Sequence, residues 1–419
     1  MNSRQEFFVH VDLGGESPVV AGFHEFDSRT NIGTFIYGRS YCENPNAFAL
    51  DPINLPLIYE KHFQLRSTRI NPFGIPGVIH DGGPDEWGRR LLNRFCEDKP
   101  ITPADYLVMG SGYGVGALYF SDSPEQPMQT AQSANSDIHQ LYQSILAFDS
   151  VETVDKNLQY LLMPSSGIGG ARPKTHVLYE NRPYIAKFNR RDDPFDNALA
   201  EYCMMKIAQK AGINCANVKL VSTQQGNAIL VERFDNPQRQ QLQPRRHMIS
   251  INALMDIQDI PDLENASYDR IVTIGKKIGR ENNVNADVFK RMLFNIAIGN
   301  TDDHTRNHAF LKNTHDRSYT LSPAYDLVPL PIRIGSHAIN IGPFGQTPTL
   351  ENIYSAGRLM GLDNQQQAQS AQSIVNNLQN LKATLSEFNM LERDIEYLMP
   401  CFRYADLVGR LCDTALRLD

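Results

Sequence analysis

The sequence predicts an α+β chain with three parts: an N-terminal sheet-containing unit, a small β-rich lobe and a large helical lobe. Three observations predict it. Apolar and polar residues alternate at the start of the chain, in "FFVHVDL" and "GTFIYG". The order strand, strand, helix, strand, strand runs from about 174 to 232. Helical periodicity then dominates beyond Asp235. At 419 residues the chain exceeds what one core usually supports, so cooperating units are expected.

The first unit takes in those alternating runs, a helical stretch near Pro84–Phe95 and the glycine-spaced "GSGYGVGALYF" at 110–120, and is expected to span 1–122. Trp87, the single tryptophan, reads as a buried aromatic at a helix start. The text "SDSPEQPMQTAQSANSD" is small, polar and aperiodic, as linkers are. With the helical "IHQLYQSILAF" it forms a connecting segment, 123–159. The small lobe, 160–235, begins with two extended runs around the turn "ENR". A helix follows, with Leu199, Cys203, Ile207 and Ala211 on one i+4 row and Gly212 as its stop. The strands "NVKLVS" and "NAILVERF" complete that lobe. The large lobe, 236–419, is predicted as helices near 269–279, 287–298, 367–386 and 402–417.

Composition excludes some functions. With 41% apolar and 21% charged residues the chain reads as an ordinary globular protein, and a net charge of -7 argues against nucleic-acid binding through its overall field. Contact with nucleic acid is expected only indirectly, through a partner. The six cysteines form no CxxC pair, and no run of about 18 apolar residues occurs. A cytoplasmic protein with reduced thiols and no membrane association is expected.

The chemistry concentrates in "NTDDHTRNHAF", residues 300–310. Asp302 and Asn307 stand at D-x-x-x-x-N spacing, which in protein kinases places a proton-accepting acid and a metal-holding amide around the phosphates. Taken alone, these residues are better read as a capped turn. Three further features shift the balance. Asp326 in "SPAYDLVPL" opens an apolar run, Lys187 is one cation inside the apolar "YIAKF" with Glu201 on the next helix, and the glycine-rich "SSGIGGARPKT" at 165–175 precedes the first strand of the lobe. Gly167, Gly169 and Gly170 allow backbone amides close to an anion, and Arg172 and Lys174 add charge.

The ordered set "SSGIGGARPKT", "YIAKF", "NALAEYCMMKIAQKAGI", "AILVERFD", "NTDDHTRNHAF" and "LSPAYDLVP" resembles the HipA family of bacterial serine/threonine kinases, toxins of toxin–antitoxin modules, over about 160–419. The segments "HDGGPDEWGRRLL" and "ADYLVMGSGYGVGALYF" resemble that family's N-terminal subdomain more loosely. The resemblance implies a two-lobed protein-kinase-like fold using ATP and Mg2+. It makes Asp302 the catalytic base, Asn307 and Asp326 the metal ligands, and Lys187 the residue on the nucleotide phosphates. Gly169 and Gly170 fall in its phosphate loop, Glu232, Arg233 and Phe234 in the adenine-contacting link, Asp235 near the ribose, and His304 close to the phosphates. In that family a loop serine is autophosphorylated and silences the enzyme. This chain has Gly167 at the usual place, leaving the adjacent Ser166 and Ser165 as candidates. The implied partners are a protein substrate, with aminoacyl-tRNA synthetases as targets by analogy, and a HipB-like DNA-binding antitoxin. Two competing readings are a catalytically weak binding module acting as corepressor with such an antitoxin, and a metallohydrolase built on Asp302, His304 and His308.

Overall fold

The computed structural model describes residues 5–15, 17–96, 100–125, 137–149, 162, 172–236, 245–279, 283–313, 316, 318–331 and 335–414. Its first sheet is antiparallel, with strands β1 (Glu6–Val11), β2 (Val19–Asp27), β3 (Ile32–Tyr37), β4 (Phe63–Arg66) and β5 (Leu118–Ser121) in the order β4-β3-β2-β1-β5. Alternation decides the register: Phe7, Val9 and Val11 are fully buried, and the distant β5 closes against β1 with Val9 opposite Phe120.

The second sheet holds β6 (Lys174–Tyr179), β7 (Arg182–Phe188), β8 (Val218–Thr223) and β9 (Gly226–Glu232) in the order β6-β7-β9-β8. Glu180 and Asn181, with φ of 49° and 60° in the left-handed region, turn β6 into β7 as a two-residue loop whose twist matches the right-handed twist of the strands. The helix Asn197–Lys210 packs on this sheet. Asp196 caps it by accepting from the Leu199 amide, Leu199, Cys203, Ile207 and Ala211 are all buried, and Gly212 at φ 77° ends it.

Beyond Asp235 the helical expectation needs one correction. A third sheet, β10 (His247–Ser250), β11 (Ala309–Lys312) and β12 (Thr320–Leu321), stands inside the large lobe. Its strands are two to four residues long, too short to carry a period-2 signal. The helices Tyr268–Ile278, Asn364–Leu378 and Ala405–Thr414 all pack on the helix Val284–Ile298. Val284–Ile298 is the lobe's central helix, with Leu293, Phe294, Ile296, Ala297 and Ile298 completely buried. Each such large side chain contributes on the order of 1.5–3 kcal/mol. The helix expected at 367–386 is two helices, Asn364–Leu378 and Leu381–Glu387, because Asn380 leaves the helical region at φ -112°, ψ 38°. Ile374, Leu378, Leu381 and Leu385 still share one buried row across the break.

The N-terminal unit is clamped to both lobes. The Trp87 indole donates to the Lys174 carbonyl at 3.0 Å, Asp81 accepts from the Ser250 amide and hydroxyl, each at 2.8 Å, and Asn54 donates to the Ala253 carbonyl at 3.0 Å. No helix among the described residues is long and apolar enough to cross a membrane.

Candidate active site

The stretch 300–310 links the central helix to β11. Gly299 stops the helix at φ 67°, and a Cβ there would lie 2.4 Å from the Cys401 carbonyl, so no other residue fits without displacing backbone. The chain then turns outward. Asp302 is exposed, whereas Asp303, one residue on, is buried. A short 3-10 turn, Thr305–Asn307, precedes His308 and β11.

Asp303 ties this loop down from behind. Its Oδ2 accepts from the Tyr268 hydroxyl at 2.5 Å, Asn295 Nδ2 at 2.7 Å and His308 Nε2 at 3.0 Å. Burial alone would raise its pKa, but His308 and the donated hydrogen bonds outweigh that and hold it below the ordinary carboxylate range. Asn295 in turn accepts from Asn300 Nδ2 at 3.0 Å, and the same amide reaches the Asp326 carbonyl at 3.2 Å. Asp326 sits at φ 60°, an uncommon conformation for a non-glycine residue, held by that contact.

In front of the loop, Lys187 on β7 bridges two carboxylates. Its Nζ lies 2.6 Å from Glu201 Oε1 and 2.6 Å from Asp326 Oδ1. Burial would lower the ammonium pKa, but Asp326 and Glu201 overcome it and hold Lys187 above its usual value. Burial likewise works against the charge on Asp326, yet Lys187 and Lys174 keep its carboxyl well below the usual range. Burial dominates at Glu201, which is raised in spite of Lys187. Asp302 is raised by desolvation first, then by Asp326 and Asp303, against the pull of His304.

One cavity of about 890 Å³ joins these groups. Lys187, Glu201, Asp302, His304, Asn307 and Asp326 all line it. Lys174 and Arg172 face it from the small lobe, with Arg172 held by Asp193 at 2.8 Å. His304 is half-buried and its Nδ1 has no hydrogen-bond partner among the described residues.

Other sequence-predicted residues lie elsewhere. Glu232, Arg233, Phe234 and Asp235 do not line this cavity. Asp235 is 3% exposed, with its oxygens accepting from Arg233 Nε at 3.0 Å and from the Gly116 amide at 2.7 Å. Arg233 donates to the Gly114 carbonyl at 3.0 Å, and Glu232 accepts from Asn217 at 2.8 Å. In this conformation the Asp235 carboxylate is committed to the N-terminal unit, not offered to a sugar. Phe234 comes nearest, its ring 5.7 Å from that of Tyr325 beside Asp326. Ser165, Ser166, Gly169 and Gly170 lie outside the described residues. Sequence reasoning missed Asn295, Asn300 and Asp303, of which two stand inside the quoted stretch. It also missed the N-terminal unit's share of the cavity, including His80, Asp85 and Arg89.

The fold defines a class: a mixed α+β, two-lobed kinase-like protein carrying an N-terminal sheet unit. Over 97% of this chain and 97% of its own, HipA in the Shewanella oneidensis toxin–antitoxin complex of HipA, HipB and operator DNA superimposes with a TM-score of 0.66 at 18% identity, a likeness of fold. Residues 166–385, more than half of the chain, match the HipA-like C-terminal domain, and the chain belongs to that family. Its sequence is 28% identical over 194 residues to the serine/threonine-protein kinase toxin HipA of Shewanella oneidensis, covering 39% of this chain and 43% of that one. It is 28% identical over 184 residues to a putative kinase of Haemophilus influenzae, covering 38% and 52% respectively. The chain thus spans about half the length of the curated relatives it matches.

Proposed function

We propose that this chain is an ATP-dependent serine/threonine protein kinase of the growth-inhibiting toxin type, organised as an N-terminal unit (1–122), a small lobe (160–235) and a large lobe (236–419). The observation that carries the reading is the convergence on one cavity of Lys187, tethered by Glu201, with Asp302, Asn307 and Asp326. A cavity of about 890 Å³ suits a nucleotide. Asn307 and Asp326 offer oxygen donors from two sides, which fits Mg2+, an ion that takes one or two carboxylates plus phosphate oxygens more readily than a cage of protein ligands. Among the described residues no group of three or more His, Cys, Asp or Glu could hold a metal ion, so the metallohydrolase reading gains no support.

When bound, magnesium ATP supplies the phosphoryl group and the divalent charge that neutralises it. The chain's own residues do the rest. Lys187 places a fixed positive charge where the phosphates gather, and Glu201 keeps it there. Asn307 and Asp326 would hold the metal. Asp302 accepts the proton of the attacking serine or threonine hydroxyl as its oxygen bonds to the γ-phosphorus and the bond to ADP breaks. Gly169 and Gly170 are the candidates for contact with the phosphates, and Ser166 or Ser165 is the candidate for autophosphorylation, all four outside the described residues. Phe234 serves the adenine side through its contact with Tyr325. The partner we propose is a HipB-like DNA-binding antitoxin, as in the Shewanella oneidensis complex. A pure corepressor role is disfavoured because a scaffold has no need of a lysine clamped between two carboxylates.

Calorimetric titration with ATP and magnesium tests the reading. Lys187→Ala and Asp326→Asn are each expected to weaken binding at least tenfold, since each removes a charge–phosphate or charge–metal contact. Unchanged affinity in both variants contradicts it.

A further inference from the structure

A second cavity, about 280 Å³, adjoins the first and shares with it Ile70, His80, His304 and Arg306. Among the described residues its walls come from the N-terminal unit and the large lobe, and no small-lobe residue reaches it. His304 and Arg306, two and four positions after Asp302, line both cavities, so the two meet at the loop that carries the proposed base, and Lys187 lines only the first. A nucleotide held by Lys187 and Asp326, neither of which lines the second cavity, leaves that cavity for the acceptor.

The chemistry of the second cavity is mixed. Ile70, Ile75, Ile257 and Leu263 give it an apolar wall. Leu263 is 38% exposed and belongs to the 3-10 turn Ile260–Asn265, none of whose residues is buried, so that lip exposes apolar surface. Arg306 at the mouth is exposed, and its guanidinium makes no hydrogen bond or ion pair among the described residues. Asp81, an acid that feels its charge, is already committed to Ser250. The charge of Arg306 is felt by Arg89 and by His80, which burial keeps neutral, with a pKa of about 3, and whose Nε2 lies 3.4 Å from Arg89 Nη2. Arg69 lines the adjoining wall. An exposed guanidinium with no hydrogen-bond or ion-pair partner among the described residues is a ready contact for an incoming anion.

We propose that the acceptor hydroxyl reaches Asp302 from this second cavity, on a protein segment bearing an acidic residue for Arg306 and an apolar residue for the wall of Ile70, Ile75, Ile257 and Leu263. The N-terminal unit is then half of the substrate-binding surface. The proposal rests on the kinase reading and names its substrate class: acidic–apolar segments around serine or threonine. Basic segments are disfavoured by the same cations.

The test maps phosphorylated sites after the full-length chain acts with magnesium ATP on a phosphatase-treated bacterial lysate. Wild type is expected to enrich one flanking position for Asp or Glu roughly tenfold and another for bulky apolar residues, the size of one charge-assisted contact. Arg306→Glu should reverse the charge preference toward Lys or Arg, and Leu263→Asp should erase the apolar one. Because Arg306 lies in the catalytic loop, Arg69→Glu provides a second arm outside it and should weaken the acidic preference in the same direction. Sites without acidic or apolar enrichment, or preferences untouched by Arg306→Glu and Arg69→Glu, overturn the proposal while leaving the kinase reading standing. A wild type that labels no site at all removes the kinase reading and this proposal with it.

Discussion

Two aspartates adjacent in the chain have opposite surroundings. Asp302 faces the cavity and is exposed, while Asp303 is buried among three donors. Desolvation with neighbouring carboxylates raises the first, and His308 with its hydrogen bonds lowers the second. The loop thus has a front that is open to the cavity and a back that is anchored. Rigidity behind is what allows an unanchored side chain in front to be held in position.

The largest expected effect breaks the front. Asp302→Asn keeps size and removes the base, so phosphate transfer by the purified protein should fall roughly 10²–10⁴-fold with the melting temperature unchanged. Growth inhibition on expression should go with it. A variant that melts early would place Asp302 with the anchors instead.

Breaking the back should show first in stability. Asp303→Asn leaves the Tyr268, Asn295 and His308 donors facing a neutral, poorer partner, at a cost on the order of 2–4 kcal/mol. Urea titration measures this. A loss below about 0.5 kcal/mol would mean that the hydrogen-bond hub is incidental.

Asn300 joins the two halves, and Asn300→Ala sharpens the comparison. Stability should drop by about 1 kcal/mol. Transfer should drop about tenfold, because the Asp326 carbonyl loses the donor that holds it at positive φ. Equal losses in Asn300→Ala and an exposed control such as Lys382→Ala would remove Asn300 from the positioning role.

The smallest effect is in pH. A raised Asp302 is protonated at a higher pH than an ordinary aspartate, so the acid limb of the rate profile should lie above about 4. Asp303 has the opposite sign: its depressed pKa gives stability that is complete above about 4 and is lost as pH falls through its folded value. Asp303→Asn should therefore flatten the acid side of the stability curve and move the acid limb of the rate toward lower pH, since the Asp303 charge is among those that raise Asp302.

Much of this was legible in the letters. The β6–β9 lobe and its helix follow from period-2 and i+4 patterns, which local sequence carries. The D-x-x-x-x-N spacing put Asp302 and Asn307 in view. The short strands of the third sheet were not legible, since two to four residues hold no period. Nor could the letters "DD" separate Asp302 from Asp303, because their difference lies in Tyr268, Asn295 and His308. The turning of Asp235 toward Gly116 and the N-terminal wall of the cavity depend on contacts between residues more than a hundred positions apart.

The central claim is that this loop carries out phosphoryl transfer. The most direct measurement incubates equal soluble amounts of wild type and Asp302→Asn with labelled ATP, magnesium and a bacterial lysate, and counts label on serine and threonine. The account predicts labelled proteins with wild type and their loss in the variant. Folded wild type that labels nothing, or a variant that labels as well as wild type, contradicts it and leaves a partner-dependent repressor as the better reading.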